Sequence, residues 1–237
     1  MSIPRPFDAV LDRLLPQRCM LCAAEDADAP VCRACAADLP PLDARHCPRC
    51  ALPTPGGSTC GACLRHAPRF DATHAVFAYA YPVDRLIQAL KYSRRLASAD
   101  FLASALAALA QLATASGGRV PDSVIPVPLS RRRLAERGFN QALELARPLA
   151  ARAGAPLETR ALERVLDTPP LATLPFAERR RNIRHAFECR ADLSGLRIWV
   201  VDDVMTTGAT LNEVATILKR HGAASVENFV VARTVRD

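Results

Sequence analysis

The chain has 237 residues, half of them hydrophobic and 23% charged, with a formal net charge of +7. That length suits one catalytic-sized domain with a smaller unit beside it. The longest apolar stretch, 101–115, is interrupted by Ser104 and Gln111 and falls short of the roughly 20 residues that span a bilayer, so no membrane insertion is expected.

Phe7, Val10, Leu11, Leu14 and Leu15 recur at helical spacing, which predicts a short amphipathic helix. The first residues lack the basic, apolar and small-residue order of a secretory signal, so a reducing, cytoplasmic location is expected. They also lack the terminal cysteine of a glutamine-using amidotransferase, so no intrinsic glutaminase half is expected. Eight of the nine cysteines then fall in four Cys-x-x-Cys pairs, with nine residues between Cys22 and Cys32 and nine between Cys50 and Cys60. Thiolates two residues apart grip a metal from a tight knuckle, and two knuckles close a tetrahedral site with no catalytic vacancy. Two structural Zn²⁺ are expected, one on Cys19, Cys22, Cys32 and Cys35 and one on Cys47, Cys50, Cys60 and Cys63. An interleaved cross-brace is the alternative pairing. His46 and His66 read as surface residues, because eight thiolates already fill two sites. Few large apolar side chains lie in this region, so metal must supply much of its stability. The predicted organisation is a double zinc ribbon with its leading helix at 1–67 and an α/β domain at 68–237.

From His74 to Tyr81 aromatic and small residues alternate as in a strand, and Pro82 then opens a helix with Leu86, Ile87 and Leu90 on one face. A second helix is predicted from about Ser98 to Ala115, ended by Gly117-Gly118. Val124 to Pro128 reads as a buried strand, and Asn140 to Ala153 as a helix that Pro148 should kink or shorten. Runs at Arg131-Arg132-Arg133 and Arg179-Arg180-Arg181 imply an anionic ligand, either a phosphorylated small molecule or a nucleic-acid backbone. The leftover Cys189 reads as a small buried hydrophobe. Leu211, Val214, Ala215 and Leu218 make the inner face of a helix that Gly222 stops, and Val226 to Ala232 is the last strand. Alternation of strand and helix predicts a parallel α/β sheet with right-handed crossovers.

Residues 198–211 carry the chemistry. Four apolar residues, Ile198 to Val201, suit a strand buried on both faces, which places Asp202 and Asp203 at its carboxyl end. Thr206, Thr207, Gly208 and Thr210 then offer hydroxyls and backbone N–H groups where a helix begins, a setting that favours phosphate. Two carboxylates beside such a cradle suit a ribose diol and a hard cation. The segment resembles the 13-residue signature of type I phosphoribosyltransferases, an apolar run followed by Asp-Asp, two residues and Thr-Thr-Gly-x-Thr. The resemblance implies the type I phosphoribosyltransferase fold, a parallel sheet flanked by helices. It implies 5-phosphoribosyl-1-pyrophosphate (PRPP) as ligand, held by Val201, Asp202, Asp203, Val204, Met205, Thr206, Thr207, Gly208, Ala209 and Thr210. The acids would hold the ribose hydroxyls directly or through Mg²⁺, and 206–210 would wrap the 5-phosphate.

A second resemblance covers nearly the whole chain. Residues 125–141, from Ile125-Pro126-Val127-Pro128 to Arg137-Gly138-Phe139-Asn140-Gln141, are similar to a segment of the ComF/GntX group of phosphoribosyltransferase-like proteins, which also carry an N-terminal Cys-x-x-Cys domain. Leu90-Lys91-Tyr92 with Arg94 and Arg95, Arg181-Asn182-Ile183, and Ala186-Phe187 match as well. The resemblance implies a bacterial cytoplasmic protein associated with uptake of transforming DNA or use of DNA as a nutrient. As an enzyme of this kind it would use Asp202, Asp203, Arg137 and Lys91 in catalysis, with Arg131 and Arg137 on the pyrophosphate side. Arg137 is favoured there because Gly138 lets the backbone approach closely. The group usually has Gln at the position of Leu171 and a basic residue near Leu166. Here Pro169-Pro170-Leu171 makes that hood loop stiffer and less polar. Three classes stay open: a transferase with an unidentified acceptor, a PRPP sensor without turnover, and an adaptor whose ribbon contacts single-stranded DNA or the DNA-uptake machinery.

Overall fold

The computed structural model describes residues 18–25, 29–92, 96–167 and 183–235. The helix predicted over residues 7–15, together with Arg94, Arg95, the Thr168 to Leu171 stretch of the hood, Arg179 to Arg181 and Asn182, lies outside them. Four parallel strands form the central sheet in the order β1 (Ala72–Ala78), β6 (Ser225–Arg233), β5 (Arg197–Met205), β2 (Ser123–Pro126). Two short strands, β3 (Leu162–Arg164) and β4 (Phe187–Cys189), pair antiparallel in a separate ribbon that the strand–helix alternation did not predict.

Both faces of the sheet are covered, which explains the unbroken apolar run in β5. Ile198 and Val200 face one core, shared with helix α7 (Ala209–Arg220) and the β3–β4 ribbon. Trp199 and Val201 face the other, against α3 (Val83–Tyr92), α4 (Leu96–Ala115) and α6 (Gln141–Ala153). Helix α4 is longer than the apolar stretch 101–115, and over Ala97–Ala115 it is long and apolar enough to cross a membrane by length and composition. Its Ala99, Leu102, Ala103, Leu106, Ala107 and Ala110 are buried in the core shared with α6 and the sheet.

Helix α6 is not shortened by Pro148. It runs unbroken through Pro148 to a left-handed Gly154. Leu145, Ala146, Leu149 and Ala150 are all buried, and that packing outweighs the single backbone hydrogen bond that Pro148 removes.

The cysteine-rich segment carries two short helices, α1 (Arg33–Ala37) and α2 (Gly61–Arg65), and docks on the sheet. Leu42 N–H donates to Val76 O at 3.1 Å and Ala78 N–H to Pro40 O at 3.0 Å, so residues 40–42 line the free edge of β1. On the far side Val124 N–H donates to Pro156 O and Glu158 N–H to Val124 O, at 2.9 Å each, which covers the edge of β2. Neither edge is left as a bare template for pairing with another chain.

Candidate functional site

The cysteines gather into two four-thiol clusters, Cys19, Cys22, Cys32 and Cys35, and Cys47, Cys50, Cys60 and Cys63, each with its sulfurs within 4.8 Å of one another. The pairing is sequential and not interleaved. Across knuckles the sulfurs of Cys22 and Cys32 are 3.8 Å apart and those of Cys50 and Cys60 3.6 Å. Tetrahedral zinc with bonds of about 2.3 Å separates its sulfurs by about 3.8 Å, so the clusters fit that ion. The two knuckles at Cys19 and Cys47 repeat each other in detail. In both, the residue after the second cysteine takes a left-handed backbone, Ala23 at φ 58° and Ala51 at φ 59°, and its N–H donates back to the first cysteine carbonyl. Burial raises the Cys19 thiol, but N–H groups of Cys32, Cys22 and Leu21 outweigh it and bring it down to about 6. At Cys47 the same contest, with N–H groups of Cys60, Cys50 and Arg49, ends at about 7. The first thiol of each unit therefore favours thiolate, the metal-binding form, while burial pushes Cys50 and Cys63 up and the neighbouring Cys22 thiol pushes Cys35 up. His46 Nδ1–H donates to the Asp43 carbonyl, and His66 is exposed; neither belongs to a cluster.

Near the carboxyl end of β5, Asp202 and Asp203 lie on a strand that stays in register with β6 through Met205, Asp202 opposite Val230. The chain then turns through Thr206 and Thr207 into α7. Gly208 caps that helix at φ 78°, and Thr207 Oγ1 accepts from Ala209 N–H at 3.2 Å. A Cβ on Gly208 would stand 2.5 Å from Met205 Cε. The first turn of any helix presents N–H groups without intrahelical acceptors, here beside two threonine hydroxyls.

Lys91, in the last turn of α3, places Nζ 2.8 Å from Asp203 Oδ2 with both side chains mostly buried. Burial pulls the Lys91 ammonium down, but the carboxylates of Asp203 and Asp202 win and hold it above its ordinary value, against the charge of Arg137. Asp202 is pushed up to about 7, first by burial and then by the charge of Asp203; the Asp203 N–H, Lys91 and Arg164 oppose the rise. Both acids thus act on one cation, and Asp202 is partly protonated at neutral pH. The oxygen donor set suits a hard divalent ion.

The segment 127–141 is held together by its own side chains, and the turns at its two ends are tied to each other. Ser130 Oγ accepts from Arg133 N–H and caps α5 (Arg131–Arg137), and Gly138 closes it at φ 80°. Asn140 ties the segment back through Nδ2–H to Val127 O at 3.1 Å and caps α6 through its Oδ1. Gln141, 2% exposed, accepts from Arg137 Nη1–H at 2.9 Å and so fixes that guanidinium. Arg133 and Arg137 lie four residues apart on one helix face, and the charges of Arg133, Arg137 and Arg164 act on one another or on the acid–lysine group.

Of the residues expected at the site, Asp202, Asp203, Lys91 and Arg137 come together with the 206–210 turn. Val201, Val204 and Met205 are strand residues of β5, with Val201 buried in the core shared with α3, α4 and α6 and Met205 buried beside Gly208. Arg131 does not join them: it is 95% exposed and pairs with Glu163. Helical rotation explains this, since positions 131 and 133 point about 200° apart. Sequence reasoning took Arg133 only as part of the arginine run and did not single out Arg164. The buried Arg164 lies over the Phe187 ring, donates to Leu166 O, and is held down to about 10 chiefly by burial. Cys189 is half-buried against the core, with its thiol 3.5 Å from Ala191 O.

A double four-thiol ribbon joined to a parallel sheet with this acid pair and turn defines a zinc-ribbon protein with a phosphoribosyltransferase-like domain. Family models agree: one for a double zinc ribbon domain matches residues 10–64, and one for a phosphoribosyl transferase domain matches residues 140–236. A DNA utilization protein, YhgH, from Salmonella typhimurium is 38% identical over 162 residues, covering 68% of this chain and 71% of that protein. Competence protein F from Haemophilus influenzae is 32% identical over 163 residues, covering 65% and 69%. Among solved structures, a purine phosphoribosyltransferase from Pyrococcus horikoshii is 21% identical with a TM-score of 0.34, over 67% of this chain and 77% of that one. The chain belongs to the ComF family of phosphoribosyltransferase-like proteins with an N-terminal double zinc ribbon.

Proposed function

We propose that this protein binds PRPP with Mg²⁺ at the carboxyl end of β5, in the bacterial cytoplasm, and serves DNA uptake or the use of DNA as a nutrient. The observation that carries the reading is the pairing of Asp202 and Asp203 with a hydroxyl-lined turn at the start of α7. Support for the biological setting comes from relatives described as DNA utilization and competence proteins.

In this reading the turn from Thr206 to Thr210 takes the 5-phosphate, donating hydroxyl and backbone hydrogens to its oxygens. Asp202 and Asp203 accept from the ribose hydroxyls. The Lys91 ammonium, held at 2.8 Å by Asp203, exchanges that contact for the anionic ligand or shares it. Arg137, fixed by Gln141, and Arg133 and Arg164 supply positive charge for the pyrophosphate. Bound Mg²⁺ would screen pyrophosphate charge and make it a better leaving group. The ribbon would present a surface to single-stranded DNA or uptake machinery, since a closed four-thiol site offers no catalytic vacancy.

Incubation of the full chain with PRPP, Mg²⁺ and a panel of bases and amines, with pyrophosphate followed, tests the transferase reading. Acceptor-dependent release that disappears in Asp202→Asn/Asp203→Asn supports it. Binding without release assigns the site to sensing, and neither binding nor release removes PRPP altogether.

A further inference from the structure

Arg233 ends β6, and its side chain is buried at 3% exposure. Its Nε–H donates to the carbonyl of Cys50 at 2.7 Å. On the other side, Nη1 donates among the carbonyls of Met205 at 2.9 Å, Thr206, and Thr234 at 2.8 Å. Cys50 belongs to the second four-thiol cluster, while Met205 and Thr206 lead into the turn assigned to the 5-phosphate. One guanidinium therefore spans the metal knuckle and the ligand loop, which are far apart in sequence.

Packing reinforces the link. Phe70 is buried in one core cluster with Cys47, Cys50, Ala51, Cys63 and Met205, and it lies 3.8 Å from where a Cβ on Gly208 would stand. Arg69 N–H donates at 2.7 Å to Asn212 Oδ1, in the first turn of α7. The first cluster has another setting: Cys35 packs in the core on the opposite face, with Phe77 and Val83.

The contacts also carry a dependence on metal. The Cys50 carbonyl that accepts from Arg233 belongs to the knuckle backbone, and a bound ion fixes that backbone. A buried guanidinium that loses one of its carbonyl acceptors must repack, so Arg233 cannot hold the same geometry equally well with and without metal.

We propose that Arg233 is a positioning residue that makes the shape of the 205–210 turn conditional on metal in the second four-thiol cluster and not in the first. The inference rests on the reading of that turn as the phosphate loop, and it adds to it a metal dependence.

The test compares full-length wild type, Arg233→Lys, Arg233→Met, Cys60→Ser and Cys22→Ser by amide hydrogen exchange of residues 204–210 in ligand-free protein and by PRPP titration with Mg²⁺. Amides of β2 and of residues 198–201 in β5 serve as an internal reference for global unfolding. Cys60→Ser and Arg233→Met should speed exchange in 204–210 about tenfold and weaken PRPP by a similar factor, the scale of lost hydrogen bonds to a charged group. Arg233→Lys, which keeps the charge but reaches fewer carbonyls, should fall between them and wild type. Cys22→Ser should match wild type in 204–210. Unchanged exchange in Cys60→Ser, or equal acceleration by Cys22→Ser, overturns the proposal whatever PRPP does. If the exchange pattern holds and wild type fails to bind PRPP, the coupling stands and the ligand assignment falls.

Discussion

Asp202 shows how one residue sets the behaviour of the site. Its folded form binds a proton more tightly than the unfolded chain does, because burial and Asp203 disfavour its charge. Its contribution to stability is therefore complete below the ordinary carboxylate range and is lost as pH rises to about 7. Asn mimics the protonated acid, so ligand-free Asp202→Asn should exceed wild type at pH 8 by about 1–3 kcal/mol, with the gain shrinking at pH 5.5. Urea unfolding at the two pH values measures this, and a larger gain at low pH would contradict it. Binding has the opposite pH dependence. Ribose hydroxyls and a cation want the carboxylate, so PRPP affinity should rise between pH 6 and pH 8, as calorimetry at fixed Mg²⁺ would reveal. Gly208 is a second single-residue control, since a side chain there meets both a left-handed backbone and the buried Met205. Gly208→Ala should cost about 1–2 kcal/mol and weaken phosphate binding, read by thermal melting with and without ligand.

At the scale of elements, the legible parts were those with local chemistry. Cysteine spacing revealed the ribbon because a tetrahedral site needs its ligands on knuckles, and the Asp-Asp to Thr-Thr-Gly segment revealed the β5–α7 junction because both halves are continuous in sequence. The sheet order was not legible. Nothing local to β6 says that it lies between β1 and β5, nor does β3 announce an antiparallel partner 25 residues on. The difference between Arg131 and Arg133 was hidden for another reason: a run of like residues carries no period, and only the docked helix decides which one faces inward. Arg233 was invisible because its partners come from three separate segments. The two four-thiol clusters should nevertheless behave as separate units, as their repeat spacing suggests. Metal analysis of Cys19→Ser and Cys60→Ser should find each variant one zinc short of the two in wild type. Loss of both ions in either variant would indicate a shared or interleaved arrangement.

Across the whole molecule, the ribbon is part of the sheet's construction. Residues 40–42 cover the edge of β1, Val31 and Leu39 enter the core under α3 and α4, and the second cluster packs against Phe70 and Met205. Its metal should therefore support the α/β domain as well as itself. The account stands or falls on the ligand at the carboxyl end of β5. Its most direct test is calorimetric titration of PRPP with Mg²⁺ into zinc-replete wild type and Asp202→Asn/Asp203→Asn. One PRPP per chain should bind wild type, and the variant, with its zinc content unchanged, should bind at least about tenfold more weakly. Equal binding by both proteins, or none by wild type, would contradict the assignment of Asp202, Asp203 and the 206–210 turn as a PRPP site.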